Sequence, residues 1–217
     1  LSPAHGAPPS QSDGAPASEQ AERLRAALER FDEAEANAVL DEALAHLTVE
    51  AVADRIVLPA MRRIGERWES GDVTVAQEHF ATGILRGRML SLARNWGAGS
   101  GPMALLACPP GEHHDLGLVV FGVILHARGW RITYLGPNTP IETIAEAAAE
   151  LHPDAIVLAA LAREPLEAEA DRTASLAAHS RLLIAGSGAG PDLAERLGAE
   201  LLDQDPVAAS RELSGPR

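Results

Sequence analysis

A helical bundle followed by a doubly wound parallel α/β sheet is the architecture this 217-residue sequence predicts. Three features lead there. Apolar residues recur with a helical period from about 19 to 96. A glycine-rich break follows, Gly97-Ala98-Gly99-Ser100-Gly101-Pro102. Beyond it come five short apolar runs, each followed by a loop and a helical stretch, the grammar of a parallel sheet covered on both faces. The expected division is a disordered arm over 1–17, a four-helix bundle over 18–97 and a five-stranded α/β domain over 98–217.

Residues 1–17 are rich in Pro, Gly, Ala, Ser and Gln and have little to bury. Ser18 is placed to cap the first helix. Leu24, Ala27, Leu28 and Phe31 form one apolar stripe, and Val39, Leu40, Ala43, Leu44 and Leu47 a second. Thr48 can cap a third helix that runs to about Glu69, with a bend expected at Pro59. Gly71-Asp72 breaks it. Thr74 with Gln77 reads as a capping box opening a fourth helix to about Trp96. Four helices with short joints suggest an antiparallel bundle. The expected strands are 103–107, 132–135, 155–160, 182–185 and 200–202, in the flavodoxin-like order 2-1-3-4-5. Ligands on such sheets sit at the carboxyl ends of the strands.

Composition excludes several chemistries. Apolar residues make up 46% of the chain, enough for a sizeable core, and the net charge is −13. That acidity argues against this chain itself tracking a phosphate backbone. All 18 cationic residues are arginine, so Schiff-base, Walker-A and kinase-type lysines are excluded. The single cysteine, Cys108, rules out an internal disulfide and a cysteine-based metal cluster. No apolar run approaches a membrane span of about 20 residues, and the start has no signal-peptide pattern. The expectation is a cytoplasmic protein with no membrane partner. The missing initiator Met suggests a piece of a longer chain.

The loop after the first strand contains Glu112-x-His114-x-x-Gly117. A metal-bound imidazole is commonly held at its second nitrogen by a carboxylate, which fixes the tautomer and raises ligand basicity. Glu112 can do this for His114. A glycine at 117, in the first turn of the next helix, lets something bulky lie against the backbone. On spacing alone a surface histidine or a helix cap remains open, and so does a stray divalent metal at His113-His114. In the bundle, Trp68 is followed after nine residues by Glu78-His79. Both flank the turn at 70–74, each roughly 5–8 Å from it at about 1.5 Å per residue. An indole, a carboxylate and an imidazole are thus expected to converge, although Trp68 could equally be core and Glu78 could favour a helix N-terminus.

Glu112-x-His114-x-x-Gly117 resembles the cobalamin-binding signature Asp/Glu-x-His-x-x-Gly. The family's Ser-x-Leu segment aligns with Ala159-Ala160-Leu161 and its Gly-Gly segment with Ala185-Gly186. The resemblance implies a Rossmann-like domain into which the nucleotide loop of cobalamin threads after leaving the cobalt. His114 would then be the lower axial ligand and Glu112 its hydrogen-bonding partner. His113, Asp115, Gly117, Leu161, Gly186, Ser187 and Gly188 would also contact the cofactor. Ala159 lacks the usual hydroxyl and Ala185 replaces a glycine, both departures touching the nucleotide tail.

Trp68 with Glu78-His79 resembles the bundle motif of the CarH/LitR class of adenosylcobalamin photoreceptors. The resemblance spans about 19–205. It includes Gly65-Glu66-x-Trp68, Pro109-Pro110-Gly111-Glu112, Tyr134-Leu135-Gly136-Pro137-x-Thr139-Pro140, Glu164-Pro165-Leu166 and Gly188-Ala189-Gly190-Pro191. It implies that the bundle lies over the upper corrin face, with Trp68, Val75, Glu78 and His79 around the adenosyl group. In the best-understood members the residue after the Trp is a His that takes the upper cobalt position after illumination; here it is Glu69. Members of the class carry a MerR-type helix-turn-helix ahead of the bundle, and no such segment precedes Ser18 in this sequence. The implied function is a non-enzymatic light sensor in transcriptional or signalling control, an expected homo-oligomer with an output partner. Direct nucleic-acid binding would need a further N-terminal domain. A corrinoid carrier of a methyltransferase system is the alternative. A third reading is an interaction module that has lost its cofactor, against which the retention of Glu112 and His114 argues. A resemblance to the photocobilins would add a bilin.

Overall fold

The computed structural model describes residues 14–215, and the chain divides into two units, Leu1–Ile84 and Leu85–Arg217. Most of the arm expected over 1–17 lies outside the described residues.

The first unit is helical. Helix α1 (Gly14–Glu29) opens ahead of Ser18 and encloses it, so the expected start near Ser18 is corrected to Gly14. Leu24, Ala27 and Leu28 are buried along one stripe. Phe31 is not part of it: the helix has ended, Phe31 sits at φ 59° in the following turn, and its half-exposed ring meets Phe80 edge-on at 5.2 Å. Helix α2 (Glu33–His46) is capped by Asp32, whose carboxylate accepts from the Glu35 N–H at 3.0 Å. Thr48 caps α3 (Val49–Val52) as expected, accepting from the Ala51 N–H.

The bend expected at Pro59 takes the form of a π-helical turn over Ala53–Val57, in which the Leu58 N–H reaches back to the Ala53 carbonyl. Proline has no N–H to give and its ring crowds the carbonyl four residues earlier, and the wider turn accommodates both constraints. Helix α4 (Leu58–Glu69) follows without a break. Gly71 turns the chain at φ 83°. Thr74 and Gln77 then form the reciprocal capping box: Thr74 N–H donates to Gln77 Oε1 at 2.8 Å, and Gln77 N–H to Thr74 Oγ1 at 3.3 Å. This opens α5 (Val75–Ser91).

Helix α5 stops short of Trp96, and the two units part within it, ahead of the break at Gly97. The physical reason is the chemistry of its second half. Arg86 reaches Asp115, and Trp96, buried beyond the helix, stands edge-on to Tyr134 at 6.0 Å. Both belong to the second unit.

That unit alternates strand and helix: β1 (Met103–Ala107), α6 (Leu116–Ala127), β2 (Arg131–Gly136), α7 (Ile141–Leu151), β3 (Ala155–Ala159), α8 (Glu164–Ala168), α9 (Ala170–Ser175), β4 (Arg181–Ala185), α10 (Pro191–Leu197), β5 (Glu200–Leu202) and α11 (Pro206–Ser214). All strand pairs are parallel, in the order β2-β1-β3-β4-β5. Leu105, Ile156, Leu158 and Ile184 face one core with Ile141, Ile144, Leu166 and Leu193. On the other side α6 is buried along nearly its whole length and packs with α11. Among the described residues no helix is long and apolar enough to cross a membrane. Chain order reverses between β1 and β3, so the crevice of such a sheet opens at their carboxyl ends.

Candidate functional site

The loops after β1 and β3 flank that crevice. The β1 loop is pinned to the β2 loop by backbone bonds: Cys108 N–H to Gly136 O at 2.9 Å, Thr139 N–H to Cys108 O at 2.9 Å, and Asn138 N–H to Glu112 O at 2.8 Å. Asn138, itself at φ 50°, also accepts the Gly111 N–H through Oδ1 at 2.8 Å.

Glu112 is 2% exposed, yet its carboxylate is fully used. Oε1 accepts from the backbone N–H of His114 and lies 2.7 Å from its ring Nδ1, and Oε2 accepts the Leu161 N–H at 2.7 Å. Burial pushes this carboxyl up, but the N–H donors of His114 and Leu161, with the His114 ring, outweigh it and hold it below the usual carboxylate range. The His114 side chain is 67% exposed. With Nδ1–H directed at the carboxylate, Nε2 carries the free lone pair, the tautomer a metal-ligating imidazole needs.

Cys108 does not compete as a ligand. It is buried, and burial with the neighbouring Asp115 and Glu112 carboxylates pushes its thiol up to about 12, so it stays protonated. Among the described residues no three His, Cys, Asp or Glu side chains form a metal-binding group. His114 thus presents a single exposed imidazole at this edge of the sheet, held at Nδ1 by Glu112.

The other expected residues of this unit fall on the same carboxyl edge. Gly188 N–H donates to Ala160 O at 3.0 Å and Ser187 Oγ–H to Leu161 O at 2.8 Å. A Cβ at Gly186 would lie 2.3 Å from Ala160 O, and one at Gly188 would lie 2.0 Å from Ala162 O, so only glycine lets the β3 and β4 loops approach this closely. Leu161 therefore joins the glycine loop to Glu112. Gly117 lies in the first turn of α6, where an added Cβ would meet open space. His113 is exposed and takes no part in the Glu112 network.

Asp115, expected at the cofactor, has its carboxylate turned to protein partners. Its carboxylate is 3% exposed and is engaged by Arg86 at 2.8–2.9 Å and by the Tyr134 hydroxyl. Burial and the adjoining Asp115 charge push the Tyr134 phenol above its ordinary range, so it remains a donor. Arg86 and Tyr134 were not foreseen as site residues. Their partner lies far along the chain in both cases, and no local spacing signals it.

In the first unit Trp68 is 48% exposed and Val75 is exposed as well. Glu78 Oε1 accepts from Thr82 Oγ1–H at 2.7 Å, one helical turn on, and Glu78 Oε2 lies 3.7 Å from Nε2 of the exposed His79. Glu78 and His79 are thus brought together. Trp68 stands on α4 across the turn, with no bond to either of them. The turn itself is tied to the end of α1: Arg67 Nε is 3.0 Å from Glu29 Oε1, and Gln77 Nε2–H donates to Glu29 O at 2.7 Å.

Comparison with known proteins matches two family descriptions, both "B12 binding domain", to residues 20–92 and 102–208. The HTH-type transcriptional repressor CarA of Myxococcus xanthus is 40% identical over 157 residues, covering 68% of this chain and 52% of the relative. The repressor CarH of the same organism is 37% identical over 146 residues, covering 67% and 49%. This chain therefore spans about half the length of these relatives. Among solved structures, the Methanosarcina barkeri monomethylamine corrinoid protein superposes with a TM-score of 0.75 at 20% identity, over 90% of this chain and 97% of that one. It shares the fold.

Proposed function

The chain belongs to the B12-binding family, with a cobalamin-binding region of the CarH type, and on that footing we propose that it is a light sensor that holds adenosylcobalamin through His114. The observation that carries this reading is the exposed imidazole with Nδ1 held at 2.7 Å by a buried carboxylate, at the carboxyl edge of a parallel sheet. When bound, the cofactor supplies a cobalt–carbon bond that green light breaks.

The residues divide the work. His114 donates from Nε2. Glu112 fixes its ring and is itself fixed by Leu161. The glycine loop at 186–188 receives the nucleotide tail. Trp68 and Val75 offer exposed apolar surface to the adenosyl group, and Glu78 keeps an acceptor oxygen beyond its bond to Thr82. Loss of that group in light changes self-association or contact with an output partner, in transcriptional or signalling control.

The test loads the protein with adenosylcobalamin or methylcobalamin and compares affinity and molar mass before and after green light. A preference for adenosylcobalamin and a light-dependent change in mass are expected. Equal affinity for the two and an unchanged mass would instead favour a corrinoid carrier.

Glu69 makes a second expectation. A carboxylate is a poor axial partner for cobalt(III), so Glu69→His is expected to create a longer-lived bis-imidazole photoproduct, read from the absorption spectrum and its decay. A bis-imidazole spectrum already present in the illuminated wild type would show that another histidine, such as His79, supplies the nitrogen.

A further inference from the structure

We infer that Arg86 and Tyr134 are positioning residues for the axial-ligand loop, acting through Asp115; this rests on the assignment of His114 as the cobalt ligand. Asp115 directly follows His114 and occupies the N-cap of α6, where aspartate ordinarily turns its carboxylate onto the first N–H groups of the helix. Here the side chain makes no such cap. It faces the other way, onto Arg86 Nε at 2.9 and 2.8 Å, Arg86 Nη2 at 2.8 Å, and the Tyr134 hydroxyl. Arg86 Nη2 also reaches the Tyr134 oxygen at 3.5 Å, closing a three-membered network.

Forgoing a local cap for a distant ion pair is the kind of broken local rule that marks a functional position. The gain is geometric. His114 stands between two anchored carboxylates. Glu112 fixes the ring on one side, and Asp115 fixes the backbone on the other. Tyr134 is held in turn by the edge-on indole of Trp96, which packs where a Cβ on Gly122 of α6 would lie 3.0 Å from its ring. The axial loop is thereby fastened to α5, β2 and α6 at once. A metal ligand placed this way meets the cobalt with little reorganisation, and loosening such supports typically lowers metal affinity about 10–100-fold.

The test uses cob(II)alamin bound to the full chain, grown with histidine carrying the heavy nitrogen isotope. Axial coordination by His114 appears in the electron paramagnetic resonance spectrum as a doublet splitting from the labelled nitrogen. In Arg86→Met and Tyr134→Phe we expect a smaller labelled-nitrogen fraction and weaker binding, about 10–100-fold for Arg86→Met; Arg86→Lys should recover part of both. Arg86→Met strands a buried carboxylate and can fail to fold. The double variant Arg86→Met/Asp115→Leu removes both charges, and a thermal melt of the apoprotein checks its fold. If it folds like the wild type but still binds weakly with a reduced doublet, the positioning role stands. If it keeps the wild-type affinity and doublet, the inference falls while the His114 assignment survives. If the wild type itself shows no labelled-nitrogen splitting, the His114 assignment falls and the positioning role with it.

Discussion

Replacing His114 with alanine is expected to remove His-ligated cobalamin while leaving the apoprotein folded. The imidazole is 67% exposed and is held through Nδ1 by Glu112. Substitutions at exposed positions usually change stability by no more than about 0.5 kcal/mol. The backbone N–H of His114 still donates to Glu112 Oε1 in the variant, so the buried carboxylate keeps a partner there. Cobalamin, by contrast, loses the axial donor proposed for it. The loss of affinity should exceed the roughly 10–100-fold typical of removing only a supporting residue. Spectral titration with aquocobalamin and a melting curve of the apoprotein separate the two effects. Unaltered spectra in His114→Ala would refute the ligand assignment, and a collapsed melt would show that the imidazole has a structural role that its exposure does not suggest.

Alternation of period told the architecture well because parallel strands are buried on both faces and read as uninterrupted apolar runs. Met103–Ala107 and Ala155–Ala159 were legible for that reason. Helix ends were less so. Phe31 fits the stripe of α1 by spacing, but the chain leaves the helix at Glu29 and the ring turns to Phe80. Ser18 has the right chemistry for a cap, and the helix simply begins earlier. The division between units was read from glycines, whereas packing is decided by what the second half of α5 carries, Arg86 above all.

The site shows the same division between local and distant information. Glu112 and His114 are two residues apart, and their spacing was sufficient to predict the bond between them. What the motif does not announce is the second support of Glu112, the Leu161 backbone N–H at 2.7 Å. A backbone donor leaves no trace in side-chain identity, so no motif could have announced it. Arg86, Tyr134 and Asn138 are invisible for a different reason: each meets the loop only once the sheet has brought distant segments together.

Glu112→Gln should produce the second large effect, on the apoprotein as well as on binding. The carboxylate accepts from three N–H groups in a setting that excludes water. An amide of the same shape has one oxygen and one nitrogen, so a donor must face a donor at Leu161 or at His114. Leaving one buried group unsatisfied costs about 1–3 kcal/mol. The freed imidazole ring would also lose its fixed tautomer, with the affinity for cobalamin falling about 10–100-fold. The pH dependence has a definite sign. In the folded state the Glu112 carboxyl is held below its unfolded value, which is about 4.3. Its contribution is therefore fully present above that value and is lost as pH falls through the lower, folded value. Urea unfolding of wild type and Glu112→Gln across this range should show a wide stability gap near neutrality that narrows in acid. A gap that is constant down to the acid limit would mean that the three N–H donors do not favour the ionised carboxylate, and the account of how Glu112 holds His114 would have to be abandoned.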